Sequence, residues 1–510
     1  MAEGDTTFGG DHARDGRSWP QAQHADGRAW SDSRPGNGAR SEAQPGDRAW
    51  SDAQPAGTTV RAAVGAVVLG ALVLAGSTAA MLRGVDPFAT SYYLFAWYAT
   101  LLMLDGVVAM NGGARDAGGA KRFLLLGKPA FTATMLAWSA VVWLFYELLN
   151  FRLQNWYYVF VPDGHITRWV TVLVSFATVL PAVFVSMAML RGFGVASDVR
   201  WRPLRVTPAL LRGLQVTGGL MLALAMLEPH YFFPLVWGGG TLMIEPVNYR
   251  RDPERSLIAD LERGEPKRII RLLVGGLMIG LLWEMFNFEA RGKWIYTVPF
   301  FERLKLFEMP LLGFFGFPPF AVECFTVWQA LVISGMAVPR WERSRPASRP
   351  ARAGAVLAAI MFSALVLHVM EARTISSVTP RLAELPGVPA TQLSQAGYDV
   401  FKLAAAQPDA VSQQLSANPM TAAVWIQTAQ LATLRGIGVR NAALLRQAGV
   451  GCVASLAAAD DTTLARQLQA MTGRRVVDAR IRVWIRAARR AVQQGTSTTA
   501  LHGSSKCDAA

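Results

Sequence analysis

The sequence predicts an all-α, polytopic membrane protein with two parallel four-helix repeats, a ninth span and a soluble helical C-terminal domain. Three observations carry this. Apolar runs of about 20 residues recur along the chain, the length needed to cross ~30 Å of hydrocarbon. The 510-residue chain is 52% hydrophobic and 17% charged, less charge than soluble chains of this size carry. One pattern occurs twice: Glu-x-x-Asn-Phe, a short spacer, then Trp-x-Tyr. It runs from Glu147 to Tyr158 and from Glu284 to Tyr296, each time at the end of a long apolar run.

Residues 1–58 are rich in Gly, Pro, Ser, Asp and Arg and hold three short echoes ending in Trp19, Trp30 and Trp50. Such a segment buries too little apolar surface to offset its chain entropy, so it reads as a disordered cytoplasmic tail. This polar stretch precedes the first apolar run, so no signal peptide is expected. Nine spans follow, at about 62–82, 91–110, 129–151, 170–190, 210–227, 231–248, 269–288, 310–338 and 353–370. The fifth and sixth have the shortest apolar cores.

The duplication reaches beyond the motif. Glu147 and Asn150 recur as Glu284 and Asn287, at an offset of 137 residues. Trp97 and Asp105 in the second span recur as Trp237 and Glu245 in the sixth, at an offset of 140. Pro181 answers Pro319 at 138. Spans one to four (59–205) therefore map onto spans five to eight (206–340). An even number of helices per unit makes the copies parallel, related by an axis along the membrane normal. The ninth span (341–373) stands outside the repeat.

Lys and Arg set the orientation. Four to seven of them crowd each of the loops joining spans two to three, four to five, six to seven and eight to nine. This bias places the N-terminus and those loops in the cytoplasm. Both Glu-x-x-Asn motifs then lie at the outer face, and so does the C-terminal domain. The net charge of +14 reports this topology before it reports any nucleic acid. The three cysteines form no Cys-x-x-Cys pair and the six histidines no His-x-x-x-His, so no metal site or cofactor is indicated.

An ionisable residue within a membrane is costly and is a functional candidate by default. Glu147/Asn150 and Glu284/Asn287 stand at i, i+3, so each pair shares a helix face. One reading is a polar clamp between helices. Trp156, Tyr158, Trp294 and Tyr296 suit a membrane interface. The second copy is richer: an aromatic stretch from Phe307 leads into the eighth span, which carries Glu323, where the first copy has Val185. Asp105 and Glu245 sit near the opposite ends of their spans, as caps or snorkelling groups.

Two resemblances follow from these residues. Glu284 at a helix end, Tyr296 in an aromatic loop, then Pro310-Leu311-Leu312 opening the next helix are similar to the lycopene cyclase and carotenoid hydratase group. Asn287 stands where that group is expected to have glycine. The likeness implies isoprenoid chemistry: Glu284 and Glu323 as acid and base, Asn287 orienting one of them, and aromatics steadying a cation. The stretch Trp283-Glu284…Asn287…Lys293-Trp294-x-Tyr296…Phe307-Glu308-Met309-Pro310-Leu311-Leu312-Gly313-Phe314 resembles uncharacterised bacterial multi-span proteins. That implies a bacterial inner membrane and no activity.

Residues 374–492 turn soluble, Ala-rich and helical, before a disordered tail at 493–510. Leu431 to Gly449 resembles a helix-hairpin-helix unit, with Gly436-Ile-Gly438 as its tight turn. A degenerate copy around Leu382–Gly397 has Pro389 where the second glycine belongs. Residues 374–510 hold 14 Lys/Arg against 7 Asp/Glu. Gly436, Gly438, Arg440, Arg482, Arg486 and Arg490 are the candidates for a polyanion. An outside location selects anionic lipid or an envelope protein; a cytoplasmic one would select DNA. Three functions stay open: a membrane scaffold or binding protein displaying this domain, an isoprenoid-modifying enzyme, and a small-molecule or ion transporter.

Overall fold

The computed structural model describes residues 59–300, 304–340, 346–473 and 478–495. The expected tails at 1–58 and over most of 493–510, with the three Trp echoes, lie outside the described residues. The chain begins with α1 (Val60–Leu82), whose N-cap Thr59 accepts from the amide of Ala62. α2 (Tyr92–Asn111) and α3 (Pro129–Leu153) follow, then the short strand β1 (Trp156–Val159). Glycines set the contact of α1 with α2: a methyl group on Gly106 would meet the carbonyl of Ala63, and one on Gly70 that of Ala99. Small residues of this kind let apolar helices approach closely.

The fourth expected span is two helices, α4 (His165–Phe176) and α5 (Val179–Gly192). The break at Ala177–Thr178 has a cause in Pro181, whose ring crowds the carbonyl four residues back and which offers no N–H. α6 (Pro208–Leu227) is followed by α7 (Pro229–Phe232), a 3₁₀ turn and α8 (Val236–Arg251). α8 is broken near its start, with Trp237 and Gly238 outside helical geometry and Gly238 at φ 116°. α9 (Leu257–Glu262) leads into α10 (Lys267–Glu289) and strand β2 (Lys293–Tyr296). Next come β3 (Lys305–Leu306), β4 (Met309–Pro310), a 3₁₀ stretch and α11 (Phe317–Ile333), with prolines in its first turn. α12 (Arg349–Arg373) ends this part.

Among the described residues, eight helical stretches are long and apolar enough to cross a membrane. The sixth expected span, at 231–248, is not one of them: α8 has only 16 residues, with the break at Trp237–Gly238 inside it.

The loops gather on two opposite faces. On one, Arg340 donates to the carbonyls of Leu124 and Phe123 (2.7 and 2.6 Å), Arg271 to that of Val195 (2.7 Å), and the Trp201 amide to Gly264 (3.0 Å). On the other, β1 and β2 pair antiparallel, with Trp156 opposite Tyr296 and Tyr158 opposite Trp294. Residues 374–379 add to the free edge of β1 in parallel: the amide of Tyr158 donates to Thr374 and that of Ser376 to Tyr158, both at 2.8 Å.

The C-terminal part is a small helical domain: α13 (Ala390–Gln395), α14 (Val400–Ala405), α15 (Pro408–Leu415), α16 (Pro419–Thr433), α17 (Gly438–Gln447), α18 (Val453–Ala458), α19 (Asp461–Thr472) and α20 (Asp478–Gln493). Its own core is built from Leu393, Leu403, Ile426, Leu445, Leu456, Ile481 and neighbours.

Candidate functional site

Each motif closes a clamp at the end of its helix. Asn150 donates to the carbonyl of Trp156 (2.9 Å) and accepts from the amide of Asn155 (2.9 Å). Asn287 donates to the carbonyl of Trp294 (3.0 Å) and accepts from its amide (2.9 Å). The tyrosine two positions on returns to the glutamate: Tyr158 donates to Glu147 Oε1 at 2.6 Å and Tyr296 to Glu284 Oε1 at 2.8 Å. Glu147 also accepts from the indoles of Trp156 (2.8 Å) and Trp143 (3.2 Å). So each helix end is locked to the strand that follows it. Ring contacts also join these helices to others: Trp97 packs on Trp283 (5.6 Å between ring centres) and Trp237 stacks on Tyr146 (5.1 Å).

Asp105, Glu245 and Glu323, the other carboxylates expected within the spans, have partners on both oxygens. Asp105 accepts from the amides of Leu124, Leu125 and Leu126, which pins the loop before α3. Glu245 does the same for the loop before α9, accepting from Ser256, Leu257 and Thr326. Glu323 accepts from Tyr146 on one oxygen (2.7 Å) and from the Gly238 amide on the other (2.6 Å), so it caps the broken start of α8. Glu147 and Glu284 differ. Both are fully buried, and the Oε2 atom of each has no partner.

Glu284 lines a cavity of about 110 Å³ whose walls are largely aromatic, including Trp143, Tyr158, Trp283, Trp294, Tyr296 and Phe317. Its lining includes partly buried residues, Leu94, Thr171 and Ser175 among them. A second cavity of about 50 Å³ shares Trp143, Tyr158, Trp294, Tyr296 and Phe317 with the first. Glu323 lines neither cavity, so the acid and base expected in one site are not brought together.

Strand geometry explains the Trp-x-Tyr spacing, because successive side chains point to opposite faces. Trp156, Tyr158, Trp294 and Tyr296 face the cavities. Tyr157, Val159 and Ile295, on the other face, pack with Phe160 and with Val483 and Phe401 of the C-terminal domain. The ribbon is therefore a partition, with the cavity beneath it and the domain above.

The hairpin expected to meet a polyanion points into this interface. Gly436 and Gly438 are buried, both at positive φ (75° and 76°), against Val159 and Ser377. Ser377 donates to the Gly436 carbonyl at 2.7 Å. Arg435 forms a two-pronged ion pair with the buried Glu308, both contacts at 2.6 Å. Burial alone pushes Glu308 up, but the hydrogen-bonded Arg435 guanidinium, with Lys293 and Lys305, holds the carboxyl below its usual range. Arg440 and Arg490 remain exposed, Arg482 is half exposed near Asp461 (3.9 Å), and Arg486 is partly buried.

Sequence reasoning missed Trp143, Trp283 and Phe317 as cavity walls and Glu308–Arg435 as the tie between the two parts. Trp143 carried one signal, its place one helical turn before Glu147. Glu308 and Arg435 are 127 residues apart and carried none.

Residues 390–491 match the family described as Domain of unknown function (DUF4332). No curated protein and no solved structure matches the chain.

Proposed function

We propose that this chain is a multi-pass membrane binding protein whose working site is the aromatic cavity at Glu284. One observation carries the reading. Of the five carboxylates expected within the spans, three have hydrogen-bond partners on both oxygens. Glu284 lines the cavity and keeps one oxygen buried without a hydrogen-bond partner. Burying such a group unpaired is costly, and a ligand offering a donor relieves that cost.

The repeated clamps and the cross-half ring contacts support two copies of one four-helix unit about an axis through the ribbon. The pairing register fits that axis, since each motif's Trp faces the other motif's Tyr. The basic loops and the ribbon lie on opposite faces, which supports a ribbon and C-terminal domain outside a bacterial-type inner membrane. The C-terminal domain is then a lid fixed on the membrane body. Proton donation by Glu284 to an unsaturated lipid is the second reading, favoured by the same oxygen. The engagement of Glu323 elsewhere deprives it of the base expected for it.

The test is labelling with an apolar photoprobe in nanodiscs, followed by peptide mapping. Labelling concentrated in 90–94, 171–179 and 283–296, and competed by a lipid extract, supports the site. Labelling spread evenly over lipid-facing helices such as α1 and α6, with no such concentration, rejects it.

A further inference from the structure

We infer that the Glu284 cavity is a site for an organic cation, an alkylammonium group carrying an apolar tail; this rests on the cavity being the binding site proposed above. Three features of the wall converge on a positive ligand. The Glu284 Oε2 is buried and has no hydrogen-bond partner among the described residues. Lys293, the one basic side chain on the wall, donates instead to the Phe288 carbonyl and lies 3.9 Å from Glu308. Two of the three tyrosine hydroxyls on the wall are already used, since Tyr158 and Tyr296 both donate to glutamates.

The rings supply the remainder of the recognition. Trp143, Tyr158, Trp283, Trp294, Tyr296 and Phe317 line the cavity together with Glu284. Aromatic faces attract ammonium groups, most strongly where water is excluded, and cages of such rings recognise quaternary ammonium ligands. A buried carboxylate beside them adds an opposite charge in a poorly screened setting. The indole N–H of Trp283 is also buried without a partner. The walls are largely apolar, which suits an apolar tail.

The experiment uses the full chain in phosphatidylglycerol nanodiscs, which carry no ammonium lipid. Decyltrimethylammonium is titrated against its neutral carbon isostere, in which carbon replaces nitrogen, with tryptophan fluorescence as the readout. The wild type is expected to bind the cation about tenfold or more tightly than the isostere. Glu284→Gln is expected to abolish that preference while leaving isostere binding in place. Phe317→Leu keeps the carboxylate and removes one ring; it is expected to weaken the cation several-fold more than the isostere, and it stands as the test if the glutamine variant fails to fold. Equal affinity of the two probes for the wild type overturns the cation assignment and leaves an apolar site. Binding of neither probe overturns both this assignment and the reading on which it rests.

Discussion

Glu308 and Arg435 set the strength of the tie between the helix body and the C-terminal domain. Glu308 is 1% exposed and keeps both oxygens on one guanidinium. Removing one member of such a pair leaves a buried charge and costs about 3–5 kcal/mol, whereas replacing both by apolar groups is often near neutral. Arg435→Met is therefore expected to lower thermal stability and speed proteolysis within 380–495, and the added change Glu308→Leu to restore most of both. The pH dependence has a definite sign. The Glu308 carboxyl is held below its usual range in the folded protein, so its contribution is complete above the unfolded value of about 4.3 and is lost as pH falls through the folded one. Between pH 7 and pH 3 the wild type should lose more of this tie than the doubly substituted protein, read as protease sensitivity at each pH. At this scale the sequence was half legible. The i, i+3 spacing puts Glu and Asn on one helix face, where a clamp between helices is one expectation; in the structure Asn287 and Glu284 instead bind the strand that follows their own helix. What each grips was hidden, because a return to a strand or a domain distant in the chain leaves no local periodicity.

The ribbon and the hairpin show how one element takes its meaning from its neighbours. Alternation along β1 and β2 sends Trp and Tyr to the cavity and the residues between them to the C-terminal domain. The motif looked like an interfacial belt because four residues are too few to declare a strand. The Gly-Ile-Gly turn was legible as a tight turn, and both glycines do adopt positive φ. Its direction was not, since a glycine pair serves a phosphate or a close-packed backbone equally well. Gly436→Ala is expected to be destabilising by about 1–3 kcal/mol, through overpacking against Val159 and an unfavourable backbone angle. Faster hydrogen exchange at Tyr158, Ser376 and Thr379, with α3 and α10 unchanged, would identify the interface as the part that loosens; protection unchanged throughout would contradict the contact. The break in α8 was likewise legible only in part. Three consecutive glycines mark weakness, but the place of the break is fixed by Glu323 holding the Gly238 amide.

Over the whole molecule, apolar length forecast the long helices with boundaries close to those observed, because crossing ~30 Å imposes a length that composition reveals directly. The segregation of basic loops from the ribbon makes the orientation measurable. Ala117, exposed in the basic loop before α3, and Met420, 68% exposed on the C-terminal domain, lie on opposite faces. With a membrane-impermeant thiol reagent added outside intact cells, Met420→Cys should label above the unsubstituted chain and Ala117→Cys should not; the reverse pattern would invert the orientation. The three-stranded join of β2, β1 and 374–379 has one more consequence, for the order in which the chain is made. β1 emerges early with both edges open, a state prone to wrong pairing. One edge closes only when β2 arrives behind α10, and the other only when the chain has passed α12. The platform of Tyr157, Val159 and Ile295 is complete only then, and Val483 of the last-made helix is what seats on it. The surface on which the C-terminal domain rests is therefore shared between segments more than a hundred residues apart in the chain.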